Sequence, residues 1–298
     1  MEEPRESAAL GQWNSQRRRL TVLAYNMLGA WAQAEDVVSE VGENLLKLDP
    51  AAAQQVRNWP AYLTTLTTRR AIDVLRSAQH QRTEYAGSWL PEPVDQQELP
   101  EDAAVTASML RLGVLFLLEE LSAPSRAAYV LHHALGYTSV RIAEVLEISP
   151  AAARQLLSRA SRKLGQARAP SRESGQLSAL LSKIVEAIRA ADAGELVSLL
   201  AEDAVLYSDG SGKVRAALNP VIGAHRIARF LMGVERKNPG RTVFMGRVNG
   251  EPALLFRLAD RQDVVAIEVA EGSIRTILQV SNPDKLWQVG SRWDPLTG

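Results

Sequence analysis

The hydrophobic period of this chain changes once along its length, and that change limits the folds open to it. Up to about residue 168 apolar residues recur three and four apart, the spacing of a helix face. Past about residue 200 they crowd into short runs bounded by turn residues, the habit of strands. One periodic layer cannot serve both patterns, and 298 residues suffice for two or three separate cores. The expected architecture is multidomain, all-α at first and α+β at the end.

The helical part divides into two blocks. The first, about 13–81, carries VLAYNMLGAWAQAEDVVSEVGENLLKL and WPAYLTTLTTRRAIDVLRS. YAGSWLPEPVDQQELPED at 85–102 then places three prolines among several acids, which stops a helix and reads as an exposed linker. The second block, 103–168, runs through SMLRLGVLFLLEELSAPSRAAYVLHHALGYTSVRIAEVLEISPAAARQLLSRASRKL. Breaks at Ala123-Pro124, Gly136-Tyr137 and Ser149-Pro150 divide it into four helices. A hinge at 170–175 precedes a helix whose apolar stripe is Leu177, Leu180, Leu181, Ile184, Val185, Ile188 and Ala191, with Gly194 and a second short helix after it. RTVFMGRV and PALLFRL flank Asn249-Gly250, and VVAIEV and SIRTILQV flank Glu271-Gly272, so two hairpins are expected.

In the second block, Ile142 to Arg159 has the form of two short helices around a tight corner. Ala153, Leu157, Ala160 and Leu164 make one packing stripe against Ile142, Val145 and Leu146. Ser149 is placed to cap the second helix and Pro150 suits its first turn. The opposite side presents Arg154, Gln155, Ser158, Arg159 and Arg162. Arginine pairs bidentately with guanine and glutamine with adenine, so this is the composition of a helix read into the major groove of DNA.

Charge sharpens that reading. The chain has 34 basic and 34 acidic residues, and 18 and 19 of them precede Ala169, so no domain attracts a polyanion in bulk. Between Ser149 and Pro170, however, five basic residues (Arg154, Arg159, Arg162, Lys163 and Arg168) meet no acid. Screening over roughly 10 Å makes such a local face the relevant field for phosphate. Cysteine is absent, which removes disulfides and thiolate metal sites; with an acidic N-terminus and no long apolar run, a cytoplasmic protein without membrane contact is expected. His80, His132, His133 and His225 do not combine into a metal site, since neighbouring histidines on a helix diverge.

AEDVVSEVGENLLKL at 34–48, followed by WPAYLTTLTTRRAIDVLRSA at 59–78, resembles the conserved first domain of extracytoplasmic-function sigma factors of bacterial RNA polymerase, and the later block resembles their promoter-reading fourth region. The resemblance implies that Asp36, Glu40 and Glu43 meet core RNA polymerase, and that Trp59, Tyr62, Arg69, Arg70 and Arg76 hold the −10 element of promoter DNA. It also implies that Arg154, Gln155, Ser158, Arg159 and Arg162 read the −35 element. Ser39 and Gly42 stand where the family commonly has a glutamine and an aromatic, and Leu156 where it often has a basic residue.

The remaining 130 or so residues resemble the cone-shaped SnoaL-like domains of the NTF2 superfamily. WLPEP at 89–93, DGSGK at 209–213 and NPDKL at 282–286 resemble signatures of the sigma factors that carry such a tail. The expected fold is therefore two all-α sigma domains, the second with a helix-turn-helix, followed by an α+β SnoaL/NTF2-like cone. The expected boundaries are 1–84, a linker at 85–102, 103–169 and 170–298. In that subgroup the tail acts in cis, which implies interdomain contacts through Trp89, Pro91, Pro93, Asp209, Lys213, Asn282, Asp284 and Lys285. No catalytic spacing joins Tyr207, Asp209 and His225, so neither an enzyme nor a cofactor is expected. A small-molecule ligand in the cone stays open, as does the rival reading of a helix-turn-helix regulator with a ligand-sensing domain.

Overall fold

The computed structural model describes residues 3–82, 84–95, 107–164, 174–258, 260–287, 289 and 293–296. They form two compact units that do not follow chain order. One gathers 3–82, 107–109 and 117–164; the other gathers 84–95, 110–116 and the described residues from 174 onward. Arg168, most of the hinge expected at 170–175 and residues 96–106 lie outside the described residues.

The first unit opens with α1 (Glu3–Leu28), α2 (Trp31–Leu46), α3 (Pro50–Gln55) and α4 (Trp59–Arg82). The buried stripe of α2 is Trp31, Ala34, Val37, Val38, Val41 and Leu45, the three-and-four spacing read from sequence. Gly42 lies on this stripe, and a Cβ there would overlap the Trp13 indole, whose Nε1 donates to the Val38 carbonyl at 3.2 Å. The space beside Gly42 is thus filled by an aromatic ring from α1.

The second block folds as α5 (Ala107–Leu110), α6 (Leu112–Leu118), α7 (Ala123–Leu135), α8 (Ser139–Leu146) and α9 (Pro150–Leu164). Gly136 ends α7 in the left-handed region at φ 67°, and Thr138 caps α8 by accepting from the Arg141 N–H at 3.3 Å. One expectation is corrected. The helix anticipated through SMLRLGVLFLLEEL is interrupted at Arg111, where side chains distant in sequence hold the backbone out of register.

Within this unit the two helical blocks, expected as separate modules, pack on each other. Glu119 accepts from both Arg82 and Arg126; the Arg126 side chain is fully buried, and Arg82 also donates to the Leu28 carbonyl at 2.9 Å. A buried guanidinium demands such partners, which no local pattern reveals.

The second unit contains α10 (Ser174–Arg189), α11 (Ala193–Ser198), β1 (Leu200–Asp209), β2 (Val221–Ile222), α12 (Ala224–Lys237), β3 (Thr242–Val248), β4 (Glu251–Leu258), β5 (Arg261–Ala270), β6 (Ser273–Val280), a 3₁₀ turn at Pro283–Lys285 and β7 (Asp294–Pro295). The sheet order is β2-β1-β6-β5-β4-β3-β7, with β1 and β6 parallel and the other neighbours antiparallel. Both expected hairpins form. Asn249 and Gly250 have φ of 56° and 82°, and Glu271 and Gly272 51° and 93°, the positive pair that a tight two-residue turn needs.

Strand alternation sends residues to two cores. Leu254, Val265 and Ile277 join Leu181, Ile184 and Ile227 beneath the helices. Leu255, Val264 and Leu278 face the other way and are covered by Leu90 and Leu112 from outside the tail. The expectation of an exposed linker is therefore corrected for residues 90–95, which are buried, with Asp95 bridging Val248, whereas 85–89 are exposed or half-buried. Full burial of a leucine contributes about 2 kcal/mol, which favours docking of Leu90 over leaving it in water.

Candidate functional site

Three groups of side chains carry the functional expectations. The first is the outer face of α9. Ala153, Ala160 and Leu164 are buried, whereas Arg154, Gln155, Ser158, Arg159 and Arg162 are all exposed. The Ser149 hydroxyl accepts the Ala152 N–H at 3.1 Å, which fixes the start of the helix as read from the sequence. Leu156 is half-buried. The outer side of α9 is thus exposed and basic, with Arg159 Nη2 donating to Gln155 Oε1 at 3.5 Å.

The second group lies on α2 and α4. Asp36 and Glu43 are exposed on α2. Glu40 instead takes a bidentate hold from Arg70, with Nη2 to Oε1 at 3.0 Å, and this hydrogen bonding keeps its carboxyl below the usual carboxylate range. A residue expected to meet polymerase and one expected to meet DNA therefore satisfy each other. Arg69 also has a protein partner. Its Nε donates to the Val145 carbonyl at 3.0 Å and its Nη1 lies 2.8 Å from Glu147, so it closes the C-terminal end of α8. Arg76 is exposed beside Asp73 at 3.7 Å. Trp59 and Tyr62 meet edge to face at 5.8 Å, both half-buried.

The third group is the linker dock, where the three short signatures converge. The Asp209 carboxylate is fully buried. It accepts the Tyr85 hydroxyl at 2.6 Å, the Leu90 N–H at 2.9 Å and the Lys285 ammonium at 2.7 Å. Lys285 also donates to the Leu90 carbonyl at 2.5 Å and sits over the Trp89 ring at 4.1 Å. Burial, then the bond to Asp209, pushes the Tyr85 phenol above its ordinary range, so it remains a donor at neutral pH. Asn282 caps the 3₁₀ turn through the Asp284 N–H at 3.1 Å and donates to the Tyr85 oxygen at 3.1 Å. Pro91 and Pro93 are buried. Lys213 and Asp284 pair at 2.5 Å on the exposed rim.

The dock contains residues that sequence reasoning did not single out. The apolar anchor is Leu90 more than Trp89, which is half-buried and covers the ammonium. Asn249, read only as a turn former, is fully buried and exchanges two bonds with Val94, at 2.9 and 3.1 Å. Glu92 accepts the Trp287 indole and Asp95 the Trp293 indole. Arg111 is held by Glu268, with Glu251 at 3.6 Å. These contacts span 140 to 198 positions, beyond any local pattern.

The catalytic alternative gains no geometry. Tyr207 packs on Phe116, Asp209 is committed to the dock, and His225 is exposed on α12. A cavity of about 20 Å³ beneath the helices, lined by Leu231, Arg241, Phe256, Asp263 and Gln279 among others, has room for about one water molecule. Among the described residues no cluster of three or more His, Asp or Glu is placed to hold a metal, and no helix is long and apolar enough to cross a membrane. The side chain of His80 lies outside the described set.

Comparison with known proteins covers nearly the whole chain. Residues 13–81 match the family model for Sigma-70 region 2, and residues 111–164 that for Sigma-70, region 4. The chain is 35% identical to the ECF RNA polymerase sigma factor SigJ of Mycobacterium tuberculosis (strain H37Rv), across 93% of this chain and 92% of that one. It is 28% identical to a probable ECF sigma factor, SigI, of the same species (strain CDC 1551), across 92% and 93%. The crystal structure of M. tuberculosis SigJ superposes with a TM-score of 0.74 at 29% identity, covering 92% of this chain and 97% of that one.

Proposed function

The chain belongs to the extracytoplasmic-function sigma factors of bacterial RNA polymerase, and from that premise we propose how its parts divide the work of directing the core enzyme to promoters. The acidic face of α2, Asp36, Glu40 and Glu43, docks on a basic surface of core polymerase. Trp59, Tyr62, Arg69, Arg70 and Arg76 of α4 hold the −10 element, the aromatics supporting bases freed from the duplex. To do so, Arg70 exchanges Glu40 for phosphate and Arg69 exchanges the end of α8 for phosphate. Arg154, Gln155, Ser158, Arg159 and Arg162 of α9 read the −35 element. Acting on polymerase and promoter DNA, the protein works in the cytoplasm.

The tail governs these regions in cis through the linker. The observation that carries this reading is the Asp209 carboxylate, which ties Tyr85 and Leu90 of the linker to Lys285 of the tail. Run-off transcription with purified core polymerase tests it. The full chain is expected to select start sites, and Asp209→Asn is expected to change the yield at equal protein concentration. Equal yield from both proteins would remove the role of the dock.

A further inference from the structure

Residues 107–118, ASMLRLGVLFLL, contain one glycine and no proline, and their leucines, methionine and alanine favour a continuous helix. The helix is nevertheless broken at Arg111, between α5 and α6. Three contacts explain the break. The Arg111 guanidinium is buried, bonded to Glu268 on β5 and 3.6 Å from Glu251 on β4. The Glu268 carboxylate also lies against the Gly113 backbone in the first turn of α6, on the side where an N-cap side chain ordinarily accepts. Leu112 is buried in the sheet core with Leu255 and Leu278.

Gly113 is what lets this carboxylate approach. A Cβ at 113 would overlap the carboxylate and Cγ of Glu268. Elsewhere in a helix, glycine at such a position weakens it relative to alanine by roughly 1 kcal/mol, so the sequence gives up helix strength where the tail makes contact. Residues 111–116 fall within the region 4 match, yet 110–116 pack with the tail while 117–164 pack in the other unit. A continuous helix and a clasped break are therefore two discrete arrangements of one segment, which is the kind of element that a regulatory domain can bias.

We propose that residues 107–118 are a two-position helix leading into the −35 reader, held in its broken form by the tail through a clasp of Glu268 on Arg111 and Gly113. Release joins α5 to α6, supplies the backbone N–H groups of 111–114 with partners inside the helix, and lengthens the helix that leads into α7, α8 and α9. The proposal rests on the reading that the tail governs the sigma regions, and it assigns to that control a contact separate from the Asp209 dock.

Gly113→Ala and Glu268→Ala in the full chain test it, with Glu268→Gln as the conservative control. Both alanine variants are expected to slow hydrogen exchange at amides 111–114 by about tenfold and to raise affinity for a −35 half-site duplex about 5- to 10-fold; Glu268→Gln, which keeps the contact with Gly113 but loses the charge paired with Arg111, is expected to show a smaller change of the same sign. Unchanged exchange or unchanged affinity in both alanine variants overturns the clasp. Asp209→Asn, measured alongside, separates the two ideas. If it alters half-site binding while the clasp variants do not, the clasp fails and control by the tail survives. If none of the three alters it, both fail.

Discussion

Replacement of Asp209 by asparagine tests the linker dock most sharply. The native carboxylate is fully buried and takes three donors, of which the Lys285 ammonium is charged and only 11% exposed in its side chain. Asparagine removes the charge and turns one acceptor into a donor facing donors. Breaking a buried pair by neutralising one partner costs about 3–5 kcal/mol. Lys285 retains the Leu90 carbonyl and the Trp89 ring, which puts the loss at the lower end, about 3 kcal/mol. For a domain of this size each kcal/mol lowers the melting temperature by about 2–4 °C, so a fall of about 6–12 °C is expected. Lys213→Ala breaks a pair that is more than half exposed and is expected to cost less than about 1 kcal/mol. Thermal unfolding of both variants, with hydrogen exchange at amides 85–95, makes the comparison. Equal melting temperatures for the two variants, or a shift of under about 2 °C for Asp209→Asn, would show that the buried carboxylate does not hold the linker.

Other expectations follow from the same geometry. Arg154→Ala and Gln155→Ala should each weaken binding of a cognate −35 duplex by about 1–3 kcal/mol and relax base preference, whereas Arg162→Ala, if it meets phosphate, should weaken all sequences alike and lower the salt dependence by about one counterion; fluorescence titration across a salt series distinguishes them. Arg69→Ala should shorten the protection of α8 amides against exchange, because the Val145 carbonyl and Glu147 lose their partner, with a stability cost near 1 kcal/mol at this part-exposed position. Burial raises the Glu268 carboxyl above its ordinary value in spite of Arg111, and burial raises Glu251 likewise. A folded pKa above the unfolded one gives stability that is fully present below about 4.5 and lost as pH rises through the folded value. Glu268→Gln, which cannot ionise, should therefore gain on the wild type as pH rises above about 4.5 in urea titrations; a gap that is constant with pH would count against this.

The parts of this molecule legible in its sequence are those whose determinants lie within a few residues. Ser149 and Pro150 set the start of α9, Gly136 the end of α7, and Asn249-Gly250 and Glu271-Gly272 the two hairpins. Hydrophobic spacing identified both faces of α9, so the exposed arginines were found without coordinates. The signature residues Asp209 and Lys285 were visible as motifs, but spacing alone gave no reason for Asp209 to be dry and Lys285 to sit against Trp89. The linker looked exposed because its prolines and acids are typical of solvent; Leu90, Val94 and the second role of Asn249 decide otherwise from across the chain. The break at Arg111 was hidden for the same reason, since Glu251 and Glu268 lie 140 and 157 positions away and override a strong local preference for helix.

If this chain gives bacterial core polymerase its choice of promoter, transcription by the purified core enzyme must depend on it. The direct measurement is run-off transcription from a library of promoter fragments with purified core enzyme, with and without the full-length protein. Transcripts starting at defined positions only when the protein is added, and lost when Arg154, Arg159 and Arg162 are replaced together by alanine, are the predicted result. Identical transcripts in both reactions, across the ionic strengths at which core enzyme is active, would mean that the protein does not select promoters.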